Sequence, residues 1–163
     1  MRRVLPVLAA AFALAAVTAT AAQSGSSTGV TVKATYSKAL KATIIVTSTG
    51  LTLYEYVADN THNQTPYPAC INDPTYHCVK LWPPLMTSGR PKAGKGVKSN
   101  LLGTVVRTDN GKIQVTYAGH PLYRYAGGVS GPPDTKPGDV YGQAALSIWY
   151  VLSPSGRVIK TQR

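Results

Sequence analysis

Ten tyrosines, two tryptophans, two cysteines, three histidines and six acids are the side chains of this 163-residue sequence that could carry chemistry. The most pointed grouping is Tyr54-Glu55-Tyr56-Val57-Ala58-Asp59, an aspartate just past two phenols. A carboxylate placed there can contribute to a cation site or polarise a phenol. It can also cap a turn by accepting backbone N–H bonds, or accept from a tyrosine hydroxyl. The capping role is the expectation, because a hard cation needs several oxygen ligands. Asp73, Asp134 and Asp139 would join Asp59 only if two long loops converge.

Catalytic groupings are missing. His62, His77 and His120 lie in no nucleophile or metal motif, and six scattered acids give no pair for general acid–base work. Neither Gly-x-Ser-x-Gly nor a phosphate-cradling loop occurs. A zinc site would need two ligands beyond Cys70 and Cys78, and covalent haem would need Cys-x-x-Cys-His. The chain is therefore expected to be non-enzymatic and without a cofactor. In an exported protein the two cysteines would pair by default, and closing so short a loop contributes about 2–3 kcal/mol.

Aromatic residues with a polar handle suit a contact surface as well as a small β core. Tyr67, Tyr76 and Tyr141 fall in loops, where binding residues usually sit. With Tyr54, Tyr56, Asp59 and Asp139 they form the candidate binding set.

A phrase written twice explains what must position these residues. Gly50-Leu51-Thr52-Leu53-Tyr54-Glu55-Tyr56 returns as Gly119-His120-Pro121-Leu122-Tyr123-Arg124-Tyr125, and each copy is followed by a tryptophan, Trp82 and then Trp149. Duplication of one supersecondary unit lets two copies bury a face that neither buries alone, which places Tyr54, Tyr123, Trp82 and Trp149 in the core. Glu55 and Arg124 stand at equivalent positions with opposite signs, near strand ends, where a pairing between copies is permitted.

The periodicity throughout is two, not 3.6. Thr43–Thr47 reads as a strand, Ser48-Thr49-Gly50 turns it, and Leu51–Val57 is its return. Leu101–Thr108 and Lys112–Tyr117 flank Asp109-Asn110-Gly111, residues suited to a tight turn with positive φ. Ile113, Val115 and Tyr117 share one face of the second strand and polar groups the other. A last hairpin runs through Ser147–Leu152, Ser153-Pro154-Ser155-Gly156 and Arg157-Val158-Ile159. Ala58–Val79 and Gly127–Gly142 read as long loops, and Ser88–Asn100 as a basic linker between the halves. The expected fold is all-β, a small sandwich or barrel-like domain built from two tandem β-repeats.

Residues 1–21 have the pattern of an export signal: Met1-Arg2-Arg3, an apolar run from Val4 to Val17, and Ala19-Thr20-Ala21. Residues 22–38 read as a flexible leader, with one early strand at Val30-Thr31-Val32. Residues 39–163 read as a single β domain, with repeat one at about 40–90 and repeat two at about 101–160. Loss of Arg2 and Arg3 turns 17 Lys+Arg against 6 Asp+Glu into 15 against 6. Such an excess favours anionic partners. Nucleic acid is not the expected one, since no recognised motif accompanies the charge.

The phrases Tyr54-Glu55-Tyr56-Val57-Ala58-Asp59, Cys78-x-x-x-Trp82-Pro83-Pro84-Leu85, Gln114-Val115-Thr116-Tyr117-x-Gly119-His120-Pro121-Leu122-Tyr123 and Pro137-Gly138-Asp139 together resemble a bacterial family. It is the secreted repeat of unknown function, which includes lipoproteins with a Yx(FWY)xxD motif. The likeness covers about residues 40–155 and implies an exported bacterial envelope protein of unestablished activity. Three departures stand out. No cysteine is placed to carry a lipid, Gly128 occupies the aspartate position of the second copy, and the cysteines stand further apart than is common in the family.

The sequence thus leads to an exported β-domain, secreted or associated with the periplasm or wall, that binds an anionic envelope component or protein. The alternative is a redox accessory that works with a metal- or haem-bearing partner, using tyrosines and tryptophans as relays.

Overall fold

A computed structural model describes residues 28–59, 66–128 and 130–163. The expected export signal, most of the leader and His62 lie outside the described residues. Nine strands and one α-helical turn follow in order among the described residues: β1 (Thr31–Ser37), β2 (Ala42–Thr47), β3 (Tyr54–Tyr56), α1 (Cys78–Leu81), β4 (Lys92–Ala93), β5 (Leu102–Val106), β6 (Ile113–Tyr117), β7 (His120–Pro121), β8 (Trp149–Leu152) and β9 (Val158–Ile159), with short 3-10 turns at Ser99–Leu101 and Ala145–Ser147. They form three small sheets ordered β2-β1-β4, β3-β8-β9 and β5-β6-β7. The fold is all-β, and the described strands close no barrel; they pack as a small sandwich.

The duplication is visible in the hydrogen bonds. The β1–β2 hairpin pairs Val32 with Thr47, as the β5–β6 hairpin pairs Leu102 with Tyr117. Leu53 N–H donates to Ile45 O, and Leu122 N–H donates to Val115 O. Each copy is therefore a hairpin whose second strand receives the Leu-Tyr-x-Tyr phrase. Alternation along that phrase serves two interiors. Leu53 and Leu122 enter an aliphatic cluster with Val32, Ile45, Val115 and Leu152, while Tyr54 and Tyr123 enter an aromatic cluster with Trp82 and Trp149. Both leucines are fully buried, and each contributes about 1.5–3 kcal/mol by leaving water.

Four expectations are corrected. The domain begins earlier than residue 39: seven residues of the supposed leader form β1, because Val32 and Ser37 are buried against β2. The linker between the halves folds back, and its Lys92 and Ala93 pair in parallel with Thr31 and Val32. Glu55 lies in the middle of β3, buried, with its Oε2 3.5 Å from His120 Nδ1, while Arg124 is exposed and does not pair with it. The polar face of β6 is not at the surface either, since Gln114 and Thr116 are both buried.

The two hairpin turns differ in a telling way. Gly111 takes the left-handed conformation at φ 67°, as its turn requires. Lys41 is its counterpart in the first copy and adopts φ 49° with a side chain attached. For an L-residue this costs about 1–2 kcal/mol. Leu40, buried in the aromatic cluster, and its N–H bond to Ser37 Oγ (3.3 Å) fix the strained turn.

Candidate functional site

At the centre of the molecule the two copies meet through their tyrosines. Trp82 and Trp149 lie face to face between them, ring centroids 3.9 Å apart and planes within 4° of parallel. Tyr54 meets Trp82 edge-on at 5.4 Å, and Tyr123 meets Trp149 edge-on at 5.2 Å. Tyr56 stacks on Trp149 at 4.4 Å, and Tyr125 packs against Trp82 at 4.6 Å. Every contact has its twofold counterpart.

The phenols of Tyr54 and Tyr123 each end on a carboxylate of the opposite copy. Tyr54 donates to Asp134 Oδ2 at 2.6 Å, and Tyr123 donates to Asp59 Oδ1 at 3.3 Å. Asp59 also accepts from Ala69 N–H, and Asp134 from Tyr141 N–H. The carboxylate missing at Gly128 is thus supplied six residues later by Asp134. Burial and the neighbouring carboxylates hold both phenols far above the ordinary tyrosine range. Burial pushes Asp59 up to about 7, against the Ala69 and Tyr123 hydrogen bonds, and raises Asp134 against the hydrogen bond from Tyr54. These pairs are locks inside the protein and offer nothing to a ligand.

A second lock has no forerunner in the sequence reading. Arg107 is buried, and its guanidinium spans Asp109 (2.9 and 2.8 Å), Gln114 Oε1 (2.6 Å) and Cys70 O (2.7 Å). Gln114 in turn donates to Leu122 O, and Asp109 accepts from Asn72 N–H. Burial works against ionised Asp109, but Arg107 prevails and leaves it below its usual value. The second hairpin is thereby tied to the loop closed by the Cys70–Cys78 disulfide, whose Cα atoms are 5.5 Å apart. Ser37 occupies the equivalent position in the first hairpin, so the arginine interrupts the symmetry. An arginine followed two residues later by an aspartate in a turn was the only signal for it.

All six acids are engaged internally. Glu55, Asp59 and Asp134 are buried, and Asp109 holds Arg107. Asp73 Oδ1 accepts from Thr75 and Tyr76 N–H, and Asp139 Oδ2 accepts from Thr135 and Lys136 N–H. Arg107 is the only lysine or arginine in an ion pair among the described residues. Nor do those residues contain a grouping of histidine, cysteine and acids able to hold a metal.

Two of the surface grooves bear on the candidate residues. One, of about 470 Å³, is walled by Tyr56, Tyr76, Leu81, Leu146, Ile148 and Trp149, beside Cys78 of the disulfide loop. Its counterpart in the second copy is covered, since Tyr125 is buried with its hydroxyl on Gly131 O. The other, of about 630 Å³, runs beside the first hairpin and is lined by Lys33, Thr35, Tyr36, Lys38, Thr49 and Asp139.

Of the candidate binding residues, Tyr54 and Asp59 belong to the interior, and the Asp139 carboxylate is occupied by its own turn. Tyr56 and Tyr76 meet in the apolar groove. Tyr67 is exposed elsewhere, and Tyr141 is half-buried beneath the Arg163 guanidinium, 5.0 Å from its ring. No helix among the described residues is long and apolar enough to cross a membrane.

Comparison with known proteins agrees with the motifs. Residues 104–153, which run from β5 to the end of β8, match the family described as a secreted repeat of unknown function. No curated protein and no solved structure matches the chain.

Proposed function

We propose that this secreted-repeat domain is a non-catalytic binding module of the bacterial envelope, held to an anionic partner by its positive surface. The observation that carries the reading is the placement of charge: every acid is turned inward or consumed by a turn, while among the described residues the lysines and arginines other than Arg107 are left without an ion pair. Basic residues scattered along the sequence thus act as one unneutralised field. Attraction of this kind weakens as salt shortens the screening length. The mature protein is expected to bind purified envelope material at low ionic strength and to elute as salt rises. Absence of retention, or retention indifferent to salt, refutes the reading.

A second reading is favoured by the Trp82–Trp149 stack, whose rings touch four tyrosines. Such a cluster suits a redox accessory that relays electrons for a metal- or haem-bearing partner. Protein isolated from its native host, examined by optical spectroscopy and metal analysis with its bound partners, separates the two. A preparation with neither chromophore nor metal defeats the relay.

A further inference from the structure

Within the binding reading, on which this step rests, we infer that the groove beside the β1–β2 hairpin recognises an anionic glycan, a polymer of sugars bearing carboxylate or phosphate groups. The groove has the parts for both halves of such a ligand. Lys33 and Lys38 in its lining supply positive charge, and Thr35 and Thr49 line it with hydroxyls. Tyr36 is 60% exposed, a planar ring open to the face of a sugar. The one acid in the lining, Asp139, is directed to the N–H groups of Thr135 and Lys136. Lys41 adds a further cation at the adjacent turn.

Internal symmetry supplies a control written into the chain. The second hairpin has glycine where the first has Lys41, asparagine at the position of Leu40, and an arginine turned inward in place of Ser37. Its turn therefore follows local backbone preference. The first hairpin keeps a lysine in a left-handed conformation, and Leu40 anchored in the core holds that turn in place. Backbone held in a sparsely populated conformation by its surroundings is a feature that ligand sites share, and here it fixes the turn that carries Lys41. A bilayer fits less well, because Tyr36 is the one large apolar side chain in the lining of this groove.

The experiment compares two variants of equal charge. One replaces Lys33, Lys38 and Lys41 by glutamine; the other replaces Lys112, Arg157 and Lys160, which are exposed elsewhere. Binding is measured by calorimetry to oligogalacturonate, to inorganic polyphosphate, which has charge but no sugar, and to vesicles containing phosphatidylglycerol. Thermal unfolding checks that each variant is folded. The hairpin variant is expected to lose roughly tenfold or more in oligogalacturonate affinity, and the control less than about threefold. Tyr36→Ala is expected to weaken oligogalacturonate binding and to leave polyphosphate binding unchanged. Equal losses in the two charge variants, no binding of oligogalacturonate by the parent, or vesicle binding with Tyr36→Ala silent would each overturn the site. Parent protein that still adheres to envelope material in a salt-sensitive way, with the hairpin variant unaffected, removes this groove alone. Failure of the parent to adhere at all removes the binding reading with it.

Discussion

Tyr54 and Tyr123 exchange both main-chain hydrogen bonds, N–H to O in each direction at 2.9 Å. A pseudo-twofold axis passes between these two residues and relates the two copies. Their hydroxyls diverge from it to Asp134 and Asp59 at unequal distances, 2.6 and 3.3 Å. Removal of one phenolic oxygen leaves a buried carboxylate short of a partner. Tyr54→Phe is expected to cost about 2 kcal/mol and Tyr123→Phe about 1 kcal/mol, read from urea midpoints at unchanged slope. The reverse order would show that the hydroxyl bonds do not set the difference.

Asp59 gives stability a definite dependence on pH. Its folded value, about 7, lies above the ordinary aspartate value of 3.8. Between these values the folded state holds a proton that the unfolded chain has released, so this group's contribution falls as pH rises from about 4 to about 7. Asp59→Asn preserves an acceptor and removes the titration. It should flatten that part of the profile and gain stability over the parent at pH 8. Parallel profiles for parent and variant would contradict the assignment.

Arg107 joins four acceptors on three segments, and its loss strands Asp109 and the Cys70 carbonyl. Arg107→Met should destabilise by about 3–5 kcal/mol, the range for breaking a buried ion pair. Arg107→Lys, which retains charge without the planar fork, should fall between. Replacing both cysteines by serine should cost about 2–3 kcal/mol in the parent. It should cost less in the Arg107→Met background, because both changes release the same loop.

A methyl group added at Gly142 would stand 2.8 Å from the Trp82 ring. Gly142→Ala must therefore shift an indole, at a cost of about 1–3 kcal/mol for overpacking. The near-ultraviolet circular dichroism of the stacked tryptophans should change with it. An unchanged spectrum would mean that the stack tolerates the intrusion.

Lys41→Gly tests the strained turn in the opposite direction. Relief of the left-handed conformation should stabilise the protein by about 0.5–1 kcal/mol, part of the gain being lost to the freer unfolded chain. Glycan affinity should fall in the same variant. A drop in stability would show that the lysine side chain holds the turn by its own contacts.

The legible parts of the fold were those fixed by local pattern. Alternation around Leu53-Tyr54 and Leu122-Tyr123, turn chemistry at Gly50 and Gly111, and two cysteines in an exported chain led directly to strands, hairpins and a disulfide. The failures arose where tertiary partners override local character. Gln114 reads as a solvent-facing polar residue, yet it is buried because Arg107 needs an acceptor. Asp134 lies outside the repeated phrase, and only the twofold arrangement reveals that it answers to Asp59. Glu55 reads as a residue near a strand end, yet the structure buries it in mid-strand with His120 beside it. Of the candidate binding residues, Tyr56 and Tyr76 prove to line one groove, and their residue type was the readable signal. That Lys33 and Lys38 line a common groove was not readable, since isolated lysines in sequence give no hint of their spatial neighbours.

The crossed tyrosine–carboxylate pairs make each copy depend on the other. A half-molecule would carry Tyr54 without Asp134, and Asp59 without Tyr123, so each would sit in an apolar interior lacking its complement. It could become whole only by meeting another half across the same axis. Carried on one polypeptide, each half always finds its complement, and the two are free to differ, as the arginine clamp and the lysine-bearing hairpin do.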